Sequence, residues 1–386
     1  RGHAPPLMQP PPLGLYIHLP WCERKCPYCD FNSHEARDIP EARYVDALLQ
    51  DLRTDLPLTR GRTIDTLFIG GGTPSLFSAA AIRQLLQGIA ALVPLAPTLE
   101  TTMEANPGSA EADKFAAFRE AGITRLSLGI QSFDDSRLQA LGRIHNSDQA
   151  RAAIEFAAAA GFDSFNIDLM HGLPGQDLAA AESDLNSALA YDPPHLSWYQ
   201  LTIEPNTVFY KRPPTLPVED ELADIQHHGE HLLARSGYQQ YEVSAYSKPG
   251  FNCRHNRNYW VFGDYLGIGA GAHGKVSFAD GSIQRYAKKR QPGEYLATGP
   301  GDFIASRRTL QPEEIIGEFM LNALRLNQGF TLAQFAARTG FDAASLEPQL
   351  ASLCQRGLLE QAGNRVRASE TGRRFLDNVI AEFFPG

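Results

Sequence analysis

Three cysteines fall within eight residues, in the stretch Leu15-Tyr-Ile-His-Leu-Pro-Trp-Cys22-Glu-Arg-Lys-Cys26-Pro-Tyr-Cys29-Asp-Phe31. Loops that short would strain any disulfide among Cys22, Cys26 and Cys29, and the chain's five cysteines are an odd number. Clustered thiols that do not pair more often bind metal. The C-x3-C-x2-C spacing lets soft sulfur hold three irons of a cubane 4Fe–4S cluster, leaving the fourth iron open to a substrate or cofactor. A tetrahedral zinc site would need a fourth ligand, which His18 or His34 could supply. Zinc spacings, however, pair their cysteines rather than triple them. Cys253 and Cys354 stand apart, and Cys354 reads as a small buried apolar residue on a helix.

Such a loop has to be held by regular elements, and the sequence around it repeats. A short β-branched or aromatic run, a Gly or Pro loop and an Ala/Leu-rich helical stretch recur six times. The expected strands are Leu15–Leu19, Thr66–Ile69, Thr101–Glu104, Arg125–Ile130, Ser164–Leu169 and Leu196–Ile203. Helices are expected between them near Ala42–Leu56, Ala79–Leu92, Ala110–Ala121, Ser147–Ala160 and Leu178–Ala190, with a sixth at Glu219–Arg235. Six βα units imply an α/β fold with a parallel sheet, a partial (β/α)6 TIM-like barrel or a doubly wound relative. In a barrel, working residues sit at the C-terminal ends of strands. The Cys loop follows strand one and Gly70-Gly-Gly-Thr73 strand two. Glu104, Gln131, Asp168 and Thr202-Ile-Glu204 end the next four, all at one rim.

The remaining chain divides by composition. Residues 1–14 form a Pro-rich leader, 15–240 the barrel and 241–305 an irregular connecting region of loops with a few short strands; 306–386 form a helical C-terminal domain with a small hairpin near Gly363-Asn364 and a last helix from Gly372 to Glu382. Three helices and a wing suggest a winged helix, but residues 305–386 hold nine Arg and no Lys against nine Asp plus Glu, a weak basis for phosphate binding. The 386 residues are 43% hydrophobic and 20% charged with net charge −9, which announces no nucleic-acid surface. No run is long and apolar enough to span a bilayer, and Arg1-Gly-His-Ala-Pro-Pro-Leu lacks the apolar stretch of a secretory signal, so a cytoplasmic location is expected.

The Cys triplet with Tyr28 before its last member resembles the signature of the radical S-adenosylmethionine superfamily. The wider set is similar to the HemN/HemW family, which contains oxygen-independent coproporphyrinogen III dehydrogenases and related haem chaperones. It comprises Gly70-Gly-Gly-Thr-Pro-Ser75, Glu104-Ala-Asn-Pro-Gly108, Gly129-Ile-Gln-Ser-Phe133, Leu141-Gly-Arg-Ile-His145 and Asp168-Leu-Met-His-Gly-Leu-Pro174. The resemblance runs from about Leu15 to the C-terminus. It implies that Cys22, Cys26 and Cys29 hold a 4Fe–4S cluster whose open iron chelates S-adenosylmethionine. It implies further that Gly71, Gly72 and Thr73 offer backbone donors to the methionyl end. Glu104 and Asp168 would accept hydrogen bonds from ribose or ammonium, Arg143 would pair with a carboxylate, and Gln131 would bridge. Tyr16 and Tyr28 would pack near cluster and adenine, although both also suit an ordinary core. His171 carries less, as a loop residue. An electron donor for the cluster is implied as a partner.

Two departures point to the haem-chaperone branch. The dehydrogenases carry a further cysteine two positions after the third, where this chain has Phe31, and they have a longer N-terminal extension. His255-Asn-Arg-Asn-Tyr-Trp260 fits the H-N-x-x-Y-W motif of the chaperones. An exposed His beside aromatic rings could ligate haem iron, with Cys253 and His273 as neighbouring alternatives. The implied function is to hold haem and deliver it to an apoprotein. The alternative is radical decarboxylation of coproporphyrinogen III propionates.

Overall fold

A computed structural model describes residues 9–386. Side chains two apart along a strand share a face, and alternation of apolar with polar or small residues sets six parallel strands. They are β1 (Leu13–Leu19), β2 (Ile64–Gly71), β3 (Leu95–Ala105), β4 (Arg125–Gln131), β5 (Ser164–His171) and β6 (His195–Gln200). On β1, Leu15, Ile17 and Leu19 are fully buried in the main core, while Tyr16 and His18 line the concave face. On β4, Leu126, Leu128 and Ile130 join that core, and Ser127, Gly129 and Gln131 face inward.

The outer layer is α1 (Glu41–Thr59), α2 (Ala79–Leu92), α3 (Ala112–Ala121), α4 (Ser147–Ala159), α5 (Leu178–Leu189) and α6 (Glu219–Arg235). Three of them, α2, α4 and α5, start at side chains that satisfy free amides. Ser78 accepts from Ala81 N–H at 3.1 Å and Asp177 from Ala180 N–H at 2.8 Å, and Asn146 with Gln149 forms a capping box. The expected α/β partial barrel is present.

Residues 241–305, expected to be irregular loops with a few short strands, carry more strand than that and extend the sheet. β7 (Gln239–Glu242) and β8 (Ala245–Ser247) add antiparallel beyond β6. A helix, α7 (Arg254–Trp260), leads into β9 (Asp264–Ile268), which runs parallel beside β1 with Leu13 opposite Asp264. β10 (His273–Ser277), β11 (Ile283–Lys288) and β12 (Ile304–Thr309) follow antiparallel. The result is one sheet of 12 strands in the order β12-β11-β10-β9-β1-β2-β3-β4-β5-β6-β8-β7. The region is irregular only in sequence, because the partner that orders β9 lies some 250 residues upstream.

The Pro-rich leader falls largely outside the described residues, and strand β1 begins at Leu13, within the span assigned to it. Residues 310–383 build a second core, which Phe262 and Ile283 of the sheet extension also enter. It holds α8 (Pro312–Ala323), α9 (Leu332–Thr339), α10 (Gln349–Gln355) and a hairpin of Leu359–Ala362 with Arg365–Ala368 turning at Gly363-Asn364. The expected last helix is interrupted at Phe375. Among the described residues no helix is long and apolar enough to cross a membrane.

Candidate functional site

The loops after the parallel strands enclose a cavity of about 360 Å³ at the C-terminal rim. Cys22, Cys26 and Cys29 line one side of it and Glu104 and Asp168 another. The Cys loop is fastened at its base. Trp21-Cys22 pairs with His34-Glu35 as a short parallel ladder, Cys29 N–H donates to Cys26 C=O at 3.0 Å, and the glycine loop grips the chain from below. There, Gly72 N–H donates to Leu19 C=O at 2.8 Å and Thr73 N–H to Trp21 C=O at 2.7 Å. This corrects the expectation for those residues. The amides of Gly72 and Thr73 are spent on the Cys loop, so the loop has carbonyl oxygens rather than those donors left for a ligand. Gly71 has φ of +123°, and a Cβ there would lie 2.5 Å from Leu19 O, so close approach of the two loops requires glycine.

The three thiols are soft sulfur donors on one hollow, a donor set that fits an iron–sulfur cluster. Among the described residues no three His, Cys, Asp or Glu side chains converge on a point that one metal could occupy. The cysteines line a shared hollow instead, as ligands to separate irons would. Burial pushes the Cys22 thiol up to about 11, so a metal would have to displace its proton. Arg143 anchors the far side, with Nη2 donating to Gly129 C=O at 2.8 Å and Nη1 3.6 Å from Cys26 Sγ.

The two acids stand on the cavity wall, each partly buried. Burial, then the charge of Asp168, pushes Glu104 up to about 8. Burial also raises Asp168, against hydrogen bonds from Asn166 and Ser197. Asn166 Nδ2 donates to Asp168 Oδ1 at 2.7 Å. The Asn166 carbonyl accepts from His195 Nδ1 at 2.7 Å, and His195 Nε2 accepts from Tyr241 O–H at 2.6 Å. Gln131 has φ of +68°, a left-handed conformation uncommon without glycine. It aims the amide into the cavity, where Oε1 accepts from Tyr199 O–H at 2.9 Å.

Eleven of the expected site residues therefore meet around one cavity: Cys22, Cys26, Tyr28 and Cys29 from the first loop, Gly71, Gly72 and Thr73 from the second, and Glu104, Gln131, Arg143 and Asp168 from the rim. Two do not. Tyr16 faces a neighbouring cavity across β1, donating to His18 Nδ1 at 2.8 Å. His255, expected to be exposed, is 1% exposed on α7 beneath the barrel. Its Nδ1 is 2.8 Å from Thr66 Oγ1 and its Nε2 2.6 Å from Tyr259 O–H, and burial, then Arg125, lowers it to about 3. Both nitrogens are in use, so His255 is a packing brace here. Cys253 is likewise fully buried. Sequence reasoning missed Tyr199, Ser127 and Asn166; each lies on the inward register of its strand, and continuing the two-residue alternation would have found them.

Residues 16–187 match the radical SAM superfamily and residues 310–375 the HemN C-terminal domain. The heme chaperone HemW of Escherichia coli is 49% identical over 374 residues, spanning 97% of this chain and 98% of that protein. HemW of Haemophilus influenzae is 47% identical over 378 residues, with the same coverage. In fold the chain is similar to the solved coproporphyrinogen III oxidase HemN of E. coli, at a TM-score of 0.82 and 24% identity over 97% of this chain and 90% of that one. With relatives this similar over nearly the full length, the chain belongs to the HemW family of the radical SAM superfamily.

Proposed function

We propose that the chain is a cytoplasmic haem chaperone that binds a 4Fe–4S cluster and S-adenosylmethionine at the barrel rim and passes haem to an apoprotein. The observation that carries the cofactor part is the one cavity in which three cysteines, a partly buried acid pair and a glycine loop face one another. The haem part rests on the likeness to chaperones over the whole length. When bound, cluster and cofactor would supply one-electron reduction of a sulfonium, with the electron coming from a donor to the cluster. Cys22, Cys26 and Cys29 would hold the irons, and Arg143 beside Cys26 would offset the anionic charge of the thiolates. Asp168, steadied by Asn166, and Glu104 would accept from ribose hydroxyls. Gln131, held by Tyr199, would bridge polar groups of the cofactor.

The reading is tested on anaerobically reconstituted protein by haem titration run beside a coproporphyrinogen III turnover assay. Haem binding without protoporphyrinogen IX formation is expected. Robust turnover with no haem bound would establish the dehydrogenase instead. Replacing Cys22, Cys26 or Cys29 by Ala should abolish the broad iron–sulfur absorption, while Cys354→Ala should keep it. Stoichiometric zinc without iron or sulfide would overturn the cluster.

A further inference from the structure

A second cavity of about 600 Å³ lies on the concave face of the antiparallel extension, next to the first. That volume is within the ordinary range for cofactor sites. The two cavities share Asp30 and Phe31 as a common wall. Phe31 is 66% exposed, an unusual setting for a large apolar ring. Across from it stand Tyr16, Tyr259, Trp260 and Tyr265. These rings offer faces and edges to a flat, extended ligand.

The cavity also holds one open imidazole. His18 lines it, but its ring is committed to Tyr16 O–H at 2.8 Å and Asn32 C=O at 2.7 Å. His273 opens β10, is exposed, and neither of its ring nitrogens is hydrogen-bonded to a described residue. Partial desolvation on its cavity side, then the charges of Arg285 and Arg290, lowers its pKa, so the ring is neutral and has a lone pair to offer at pH 7. The cations divide in the same way. Lys275 is taken by the Phe262 and Gly263 carbonyls, Lys288 by Asp51 and Asp55, and Arg285 by Glu318 and Tyr265. Arg290 lines the cavity, is exposed, and has no side-chain partner among the described residues. The Trp260 Nε1 donor is also unsatisfied.

Aromatic walls, a neutral imidazole and an uncommitted guanidinium are the requirements of an anionic metalloporphyrin. From these we infer that the second cavity seats the haem, with His273 as the protein's axial ligand to iron and Arg290 receiving a propionate. The inference rests on the haem-carrying function proposed above and places the cargo within it. His255 then acts one step back. By bonding Tyr259 O–H it positions that ring on the cavity wall. Asn32 acts in the same way, since its Nδ2 donates to Ala270 C=O at 3.1 Å and Arg290 C=O at 2.9 Å, clasping the end of the Cys loop to the turn that precedes His273 and to the backbone of Arg290 itself.

The test uses the full chain with its cluster reconstituted, titrated with haem and, separately, with iron-free protoporphyrin IX. His273→Gly should shift the Soret band and weaken haem binding about tenfold or more, leave protoporphyrin binding nearly unchanged, and recover the wild-type spectrum on addition of imidazole. Arg290→Gln should weaken haem and protoporphyrin alike. Iron and sulfide content unchanged from wild type would show that both variants fold. If wild type binds haem and neither variant differs from it, the site is wrong while the function stands. If wild type binds no haem at all, the function fails and the site falls with it.

Discussion

Glu104 and Asp168 are two partly buried carboxyls on the wall of one cavity, and burial together with the charge of Asp168 pushes Glu104 up to about 8, so that it is protonated at neutral pH. An ionised carboxylate accepts from ribose hydroxyls and pairs with a permanently cationic sulfonium more strongly than its protonated form does. Below about pH 8, S-adenosylmethionine should therefore displace the Glu104 proton, and its affinity should rise with pH until that point and then level off. Calorimetry in buffers of different ionisation heat should register the released proton, and Glu104→Gln should remove both the release and the pH dependence. Asp168→Ala and Glu104→Ala should each weaken the cofactor by about tenfold to a hundredfold, the worth of an ionic hydrogen bond, with iron content unchanged. Unaltered affinity in both would mean that the acids face a different ligand. The residues of this site were legible because their motifs sit where strands end. What the linear text did not disclose is direction. The glycine-loop amides were open to a ligand on paper, yet the fold turns them onto Leu19 and Trp21.

At the scale of the element, α7 shows how a motif can be noticed and misplaced. His255 and Tyr259 are four apart, the spacing at which side chains meet on a helix, but a neighbourhood of Gly and turn residues suggested loops. Glu100 settles the matter from a distant strand, its carboxylate accepting from the Arg254 and His255 amides at 3.1 Å each and so starting the helix. Burying a neutral imidazole there has a measurable consequence. The unfolded chain takes up a proton near pH 6.5, whereas folded His255 does so only at about 3. Between those values the unfolded state binds more protons, so stability falls as pH falls, by up to about 1.4 kcal/mol per pH unit for this residue. His145 and His171, lowered by burial to about 4 and about 3, add to the same slope. Urea unfolding from pH 7 to 5 should show it, and His255→Gln, which can still bond Thr66 and Tyr259, should make the dependence shallower. An unchanged slope would mean that the imidazole is solvated in solution.

Across the whole molecule, one sheet of 12 strands serves two cores, and a buried polar contact crosses between them beside the apolar one made by Phe262 and Ile283. Arg325 reaches from the C-terminal unit to Glu242, 3.1 Å away and almost fully buried, and lies over the Trp260 ring at 4.3 Å. Arg325→Ala would strand that carboxylate and should cost about 1–3 kcal/mol. The expected sign is an earlier thermal transition during which iron–sulfur absorption persists, because the cluster loop lies in the other core. Loss of both signals together would show that the cores unfold as one. The six βα units were readable because each element's neighbour in space is also its neighbour in sequence. Strands β9 to β12 were not, since their order is fixed by β1 at the opposite end of the chain. The wall formed by Asp30 and Phe31 belongs to both cavities, and this ties the occupancies together. If S-adenosylmethionine moves that wall enough to change the hold on haem by some factor, haem must change the hold on S-adenosylmethionine by the same factor. Loading and release of the cargo would then be two readings of a single free energy, set by the state of the cofactor next door.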